Sequence, residues 1–277
     1  MDDGVRLRTW THGIETDLPP VLLLHGGPGL WDDLAPLSRM IDELTVVHRF
    51  DQRGCGGSDP STRHSIDRYC ADIDALRVHW HHEKMIVIGH SFGATLALAY
   101  AMTHPQRVTS VGYVSGVGIG SWKEQYRRRR DELMTAQQVE RLRALKALEN
   151  RSPDEEIEFR ALAWFTDHAD QQRAWIWAHE DARAPYPINQ YANRVLNAEA
   201  DAWTATTLPQ QAASLEIDTV FIHGSHDPRS FTSAQELSTL MPRARMEIID
   251  GAGHCIWRER PENLRTVLTD LVTGTAV

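Results

Sequence analysis

The sequence predicts an α/β fold: a mostly parallel central sheet, helices on both of its faces, and a helical insertion late in the chain. Three observations predict it. Short continuous apolar runs, such as Val21–Leu24, alternate with segments of helical spacing. The alternation stops near Gly116 and resumes near Thr219. Glycine-rich loops fall at the carboxyl ends of the apolar runs, where such sheets bind ligands.

Val5 to His12 alternates and predicts an early antiparallel strand. Val21 to Leu24 reads as a strand buried on both faces, and His25-Gly26-Gly27-Pro28-Gly29 as the loop after it. Leu34 to Ile41 predicts a short helix. Thr45 to Phe50 predicts a second buried strand, followed by a glycine-rich loop from Asp51 to Asp59. Asp67 to Trp80 places Tyr69, Ile73, Leu76 and Trp80 at helical spacing. Met85 to Ile88 and Val108 to Val114 predict two further strands, with a helix from Phe92 to Met102 between them. From Gly116 to Pro209 the chain reads as helical. Segments stand at Glu132 to Leu148, Glu155 to Trp164 and Gln171 to Glu180, with a break at Ala184-Pro185-Tyr186-Pro187. Thr219 to Ile222 and Ala244 to Ile249 predict the last strands, with helices at Phe231 to Leu240 and Pro261 to Thr273. The expected organisation is a core of residues 1–115 and 210–277, with residues 116–209 as a helical cap.

The 277 residues carry a formal charge of -9, and 42% are hydrophobic. A net negative field argues against nucleic acid or an anionic membrane surface as partner. The run Arg127-Arg128-Arg129-Arg130 reads as a solvated helix face. No stretch approaches the roughly 18 to 20 apolar residues that span a bilayer. Met1-Asp2-Asp3-Gly4 starts acidic with no apolar region after it, so no secretory signal is expected. Cys55, Cys70 and Cys255 are odd in number and lack metal-ligand spacing, which fits a reducing compartment, most simply the cytoplasm. The expected partner is a small molecule or short peptide as substrate. Oligomeric state is not legible.

Gly89-His90-Ser91-Phe92-Gly93 fits the pattern G-x-S-x-G, between an apolar strand and an alanine-leucine helix. In that setting the serine occupies a sharp strained turn that lifts its hydroxyl above the sheet edge. The helix N-terminus favours negative charge developing nearby. A serine hydroxyl needs a base, and the base needs an orienting carboxylate. Among fourteen histidines, His254 follows the last strand, and Asp227 follows the strand before it. Ser91, Asp227, His254 is the chain order this kind of sheet uses. Asp250 is a local rival to Asp227. His223 and His226 beside Asp227 complete no zinc-like set, so neither metal nor cofactor is expected. The backbone N–H of Phe92 is the first expected oxyanion donor, and that of Gly27 the second.

These residues carry a likeness. The chain resembles an alpha/beta hydrolase of the proline iminopeptidase (prolyl aminopeptidase) family in HGGPG at His25 to Gly29, DQRGCGGS at Asp51 to Ser58, GHSFGATLALAYAMTHP at Gly89 to Pro105, and GAGH at Gly251 to His254. The resemblance implies metal-free removal of an N-terminal proline. It also implies Ser91, Asp227 and His254 as triad, Gly27 and Phe92 as oxyanion donors, and a helical cap over the site. The likeness weakens where substrate is chosen. The family holds the substrate amine with cap glutamates, one in a stretch like E-N-H-Y; here Ile188 stands where that glutamate would fall. Its W-x-x-W-E stretch reads AWIWAHED, which leaves Glu180 or Asp181 as amine anchor and Trp177 as an apolar contact. Cap tryptophans also serve simply to pack a cap onto its base. An ester, amide or lactone without a free amine is the competing substrate class. Acyl transfer to an acceptor other than water, and ligand binding without catalysis, are the competing activities.

Overall fold

A computed structural model describes residues 1–120 and 122–275. Its seven strands form one sheet: β1 (Thr9–His12), β2 (Val21–Leu24), β3 (Val47–Phe50), β4 (Met85–His90), β5 (Val108–Val114), β6 (Asp218–Gly224) and β7 (Ala244–Ile249). They lie side by side in the order β1-β3-β2-β4-β5-β6-β7. β1 runs antiparallel to β3, and every other neighbouring pair is parallel. The carboxyl ends of β2, β4, β6 and β7 therefore open on the same edge.

Period-two alternation assigns the apolar runs to two faces. Leu22 and Leu24 of β2 point into one buried layer, Val21 and Leu23 into the other. The first layer is filled by α2 (Ile66–His79), α3 (Phe92–Thr103) and α10 (Phe231–Leu240); the second by α1 (Ala35–Ile41) and α12 (Pro261–Thr273). α3 has no polar face: Phe92 through Ala101 are all buried.

Among the described residues, six α-helices stand between β5 and β6: α4 (Trp122–Leu133), α5 (Ala136–Ala147), α6 (Pro153–Trp164), α7 (Ala174–Ala182), α8 (Gln190–Thr206) and α9 (Leu208–Ala212). A short α11 (Ile256–Glu259) precedes α12. α5, α6 and α7 enclose an apolar cluster of their own, including Leu142, Leu145, Leu162 and Phe165.

β1 and β3 begin later than expected, at Thr9 and Val47, and four further elements differ from the sequence reading. The helix expected over Glu132 to Leu148 is two helices. Thr135 and Gln138 form a reciprocal cap that satisfies backbone donors and starts α5 afresh. β4 and β6 run on to His90 and Gly224, two residues past their apolar runs. α8, seventeen residues long, begins just beyond the Pro185–Pro187 break. Its few buried positions, Ala192, Leu196 and Thr204, gave it little apolar signal.

Candidate active site

At the join of β4 and α3, Ser91 has φ 56° and ψ -118°, a left-handed conformation that costs a non-glycine residue energy. The flanking glycines make this turn possible. A Cβ on Gly89 would lie 1.9 Å from the Gly93 carbonyl oxygen; one on Gly93 would lie 2.0 Å from the Leu24 carbonyl oxygen. Ser91 N donates to Val114 O at 2.9 Å, which ties the turn to β5.

The loops after β6 and β7 bring Asp227 and His254 together. His254 Nδ1 and Asp227 Oδ2 are 2.6 Å apart, and both side chains are buried. An ionised carboxylate only accepts, so Nδ1 carries a proton, and in the neutral imidazole Nε2 is the nitrogen with a free lone pair. Burial alone would raise the Asp227 pKa. The attraction and hydrogen bond of His254 outweigh it, His223 and Arg229 add to them, and the carboxyl titrates well below the usual range. Asp227 Oδ1 accepts a second bond, from Arg229 N at 2.8 Å. Asp250 instead accepts from the Ser225 hydroxyl at 3.0 Å.

Ser91, His254, Gly26 and Gly27 share the wall of a cavity of about 290 Å³. Among the described residues no hydrogen bond joins Ser91 to His254, a contact that often tightens only when substrate binds. Phe92 N opens α3 and has no carbonyl partner among the described residues, nor has Gly27 N. Trp31, Trp164 and Ala184 give the cavity an apolar side. Asp33, Glu180 and Asp181 give it an acidic one. Burial pushes the Asp33 carboxyl up to about 7, and Asp32 and Asp181 push it the same way. Asp33 lines the cavity and keeps an exposed face there. Arg258 relieves it only slightly, being paired with Glu180 and Asp181.

Two buried histidines beside the site favour their neutral form. His90 is held well below its usual pKa by burial and then by His254. Its Nε2 faces the His254 carbonyl oxygen at 3.2 Å and donates to it. Burial lowers His168 to about 4. Arg229 pairs with Asp167 at 2.7 Å and lies over the Tyr126 ring at 4.5 Å. No group of three or more His, Cys, Asp or Glu among the described residues is arranged to hold a metal ion. No helix among them is long and apolar enough to cross a membrane.

The family description "alpha/beta hydrolase fold" matches residues 19–261. The chain belongs to the alpha/beta hydrolase fold family. A proline iminopeptidase of Heyndrickxia coagulans is 25% identical to this hydrolase over 268 residues, covering 92% of this chain and 91% of that one. One from Arabidopsis thaliana is 38% identical over 107 residues, 37% of this chain and 28% of that one. The crystal structure of proline iminopeptidase from Mycobacterium smegmatis superposes with a TM-score of 0.74 at 18% identity, covering 98% of this chain and 95% of that one.

In this hydrolase Glu180 and Asp181 stand at the cavity, at the end of α7. Trp177 lies outside its wall, buried with its ring 5.1 Å from that of His168. Ile188 is half-buried just before α8 and also lies outside the wall. The sequence reading missed Asp33, Trp31, His168 and Arg229. Asp33 had a usable signal: it follows HGGPG by four residues in an acidic pair, Asp32-Asp33, that a plain turn does not need.

Proposed function

We propose that this protein is a serine hydrolase acting on a small amide, peptide or ester through an acyl-enzyme. The observation that carries this reading is the strained Ser91 on the same cavity wall as a His254 oriented by Asp227. His254 Nε2 takes the Ser91 hydroxyl proton as Oγ bonds to the substrate carbonyl carbon. The carbonyl oxygen becomes an oxyanion facing Gly27 N–H and Phe92 N–H. The carbonyl re-forms, the amine or alcohol leaves, and His254 gives it the proton. Water then repeats the cycle on the acyl-serine. Residues 116–209 act as a cap domain on a core of residues 1–115 and 210–277. The three free cysteines suit a cytoplasmic setting.

The proline iminopeptidase relatives and the cavity's acidic side both support a substrate with a free amine. Asp33 is the carboxylate best placed for it, since Arg258 occupies Glu180 and Asp181. The second reading is an esterase or lactonase without amine recognition. It is favoured by Ile188 in place of the family's glutamate, and by the raised Asp33 pKa, which leaves that group part-neutral near pH 7. Rates on proline β-naphthylamide and its N-acetyl derivative, with p-nitrophenyl acetate alongside, separate the two. A strong preference for the free amine supports the first; indifference with good ester turnover supports the second. Turnover of all three undiminished in Ser91→Ala contradicts both.

A further inference from the structure

Two carbonyl groups directly after Gly27 take their hydrogen bonds from the helical insertion. Asn193 Nδ2 donates to Pro28 O at 2.7 Å. Asn189 N donates to Gly29 O at 2.8 Å. The Asn189 side chain reaches the second glycine-rich loop, with Nδ2 donating to Gly54 O at 2.9 Å. Its Oδ1 accepts from Ala192 N and caps α8. The approach is close: a Cβ on Gly29 would lie 2.4 Å from the Asn189 carbonyl oxygen. On the other side of Gly27 the hold comes from the core, where Gln52 Nε2 donates to His25 O at 2.8 Å and Gln52 N to His25 Nε2 at 3.0 Å.

We infer that Asn193 and Asn189 are positioning residues that aim the Gly27 N–H, so the oxyanion hole is assembled jointly by the core and the insertion. The inference rests on the serine hydrolase reading. The loop from His25 to Gly29 has three glycines and bridges two rigid attachments. The Gln52 bonds fix His25, His25 Nδ1 donates to Gly26 O at 2.9 Å in the very peptide that carries the Gly27 N–H, and the two asparagines fix the peptides that follow Pro28 and Gly29. Remove the later pair, and the Gly27 N–H is held from the His25 side alone, so the loop can tilt it away from the developing oxyanion. A donor serves catalysis only when it is aimed at that point before charge develops. The same contacts keep α8 seated on the loop, so α8 cannot lift from the loop without loosening the oxyanion hole.

Asn193 is the cleaner residue to test, because Asn189 also caps α8. Asn193→Leu removes the donor and improves helix propensity. Asn193→Asp keeps the shape and sets a carboxylate against Pro28 O. The probes are p-nitrophenyl acetate for turnover and trifluoroacetophenone for the tetrahedral state. Ser91 Oγ adds to that ketone carbon, its proton passes to His254, and the former carbonyl oxygen becomes the oxyanion. Both variants are expected to lose about 10- to 100-fold in kcat, less than outright removal of a donor, with KM nearly unchanged. The ketone inhibition constant should rise by the same factor as kcat/KM falls, with folding by circular dichroism and the midpoint of the pH–rate profile unchanged. Parental kcat in both variants overturns the inference. So does a rise in KM alone, or a loss of rate that only follows loss of folded protein. If the parent itself shows no hydrolysis that depends on Ser91, the hydrolase reading fails instead.

Discussion

His254 Nδ1 sits 2.6 Å from Asp227 Oδ2 across 27 positions of sequence. Two adjacent parallel strands, β6 and β7, make the meeting possible by ending at the same edge. With the carboxylate accepting from Nδ1, the lone pair of Nε2 is left to take a proton. Asp227→Asn offers an amide that can donate to Nδ1, which favours the wrong tautomer. The expected result is a fall in kcat of about ten-thousand-fold with the fold retained by circular dichroism.

Asp227 also gives the fold a pH dependence of definite sign. Its pKa is depressed in the folded state, so its contribution is present above the ordinary carboxylate value and lost as pH falls through the folded one. Urea midpoints measured from pH 7 downward should show a shallower acid decline in Asp227→Asn than in the parent.

Asp33 has the opposite sign. Its folded pKa is about 7 against an ordinary 3.8, so it stabilises the fold most at low pH, and that stability is lost as pH rises through 7. Asp33→Asn should raise Tm at pH 8, with the gain shrinking toward pH 5. Where Asp33 holds the amine, the parent's preference for proline β-naphthylamide over its N-acetyl form grows as pH rises through 7. Asp33→Asn should flatten that growth.

Gly93→Ala should fail at the level of folding. The new methyl would sit 2.0 Å from the Leu24 carbonyl oxygen, a backbone atom at the centre of the sheet. A loss above about 4 kcal/mol, in the range reserved for severe core strain, is expected as a lowered urea midpoint or insoluble expression.

Cys255 lines the cavity beside His254, yet it should not compete as nucleophile. Burial raises its pKa well above 9, and the carboxylates of Asp167, Asp33 and Asp181 raise it further. The thiolate is the reactive form, so iodoacetamide at pH 8 should leave turnover intact. Cys255→Ser should also keep parental rates.

Much of the fold was legible because the physics of burial writes itself as pattern. Val21–Leu24 is buried on both faces and reads as a continuous apolar run. β5, α10, β7 and α12 begin and end where the sequence reading placed them. Gly89 and Gly93 were legible because backbone crowding leaves no other residue a place. The acidic side of the cavity was not. Asp33 and Asp181 lie 148 positions apart, and only the folding of the insertion back onto the loop after β2 brings them together. No periodicity reports such a meeting. INQYAN was read for the carboxylate it lacks at Ile188. The Asn193 side chain and the Asn189 backbone N–H reach the loop after β2, and the Asn189 side chain reaches the loop after β3, contacts that no spacing announces.

The most direct test of the account is the site of acylation. The protein is mixed with p-nitrophenyl acetate, quenched in acid within the first turnover, and digested for mass spectrometry. One acetyl group per chain is expected, on the peptide that carries Ser91, and none on Ser91→Ala. An acetyl group on another residue, or a first-turnover burst that persists in Ser91→Ala, would contradict it.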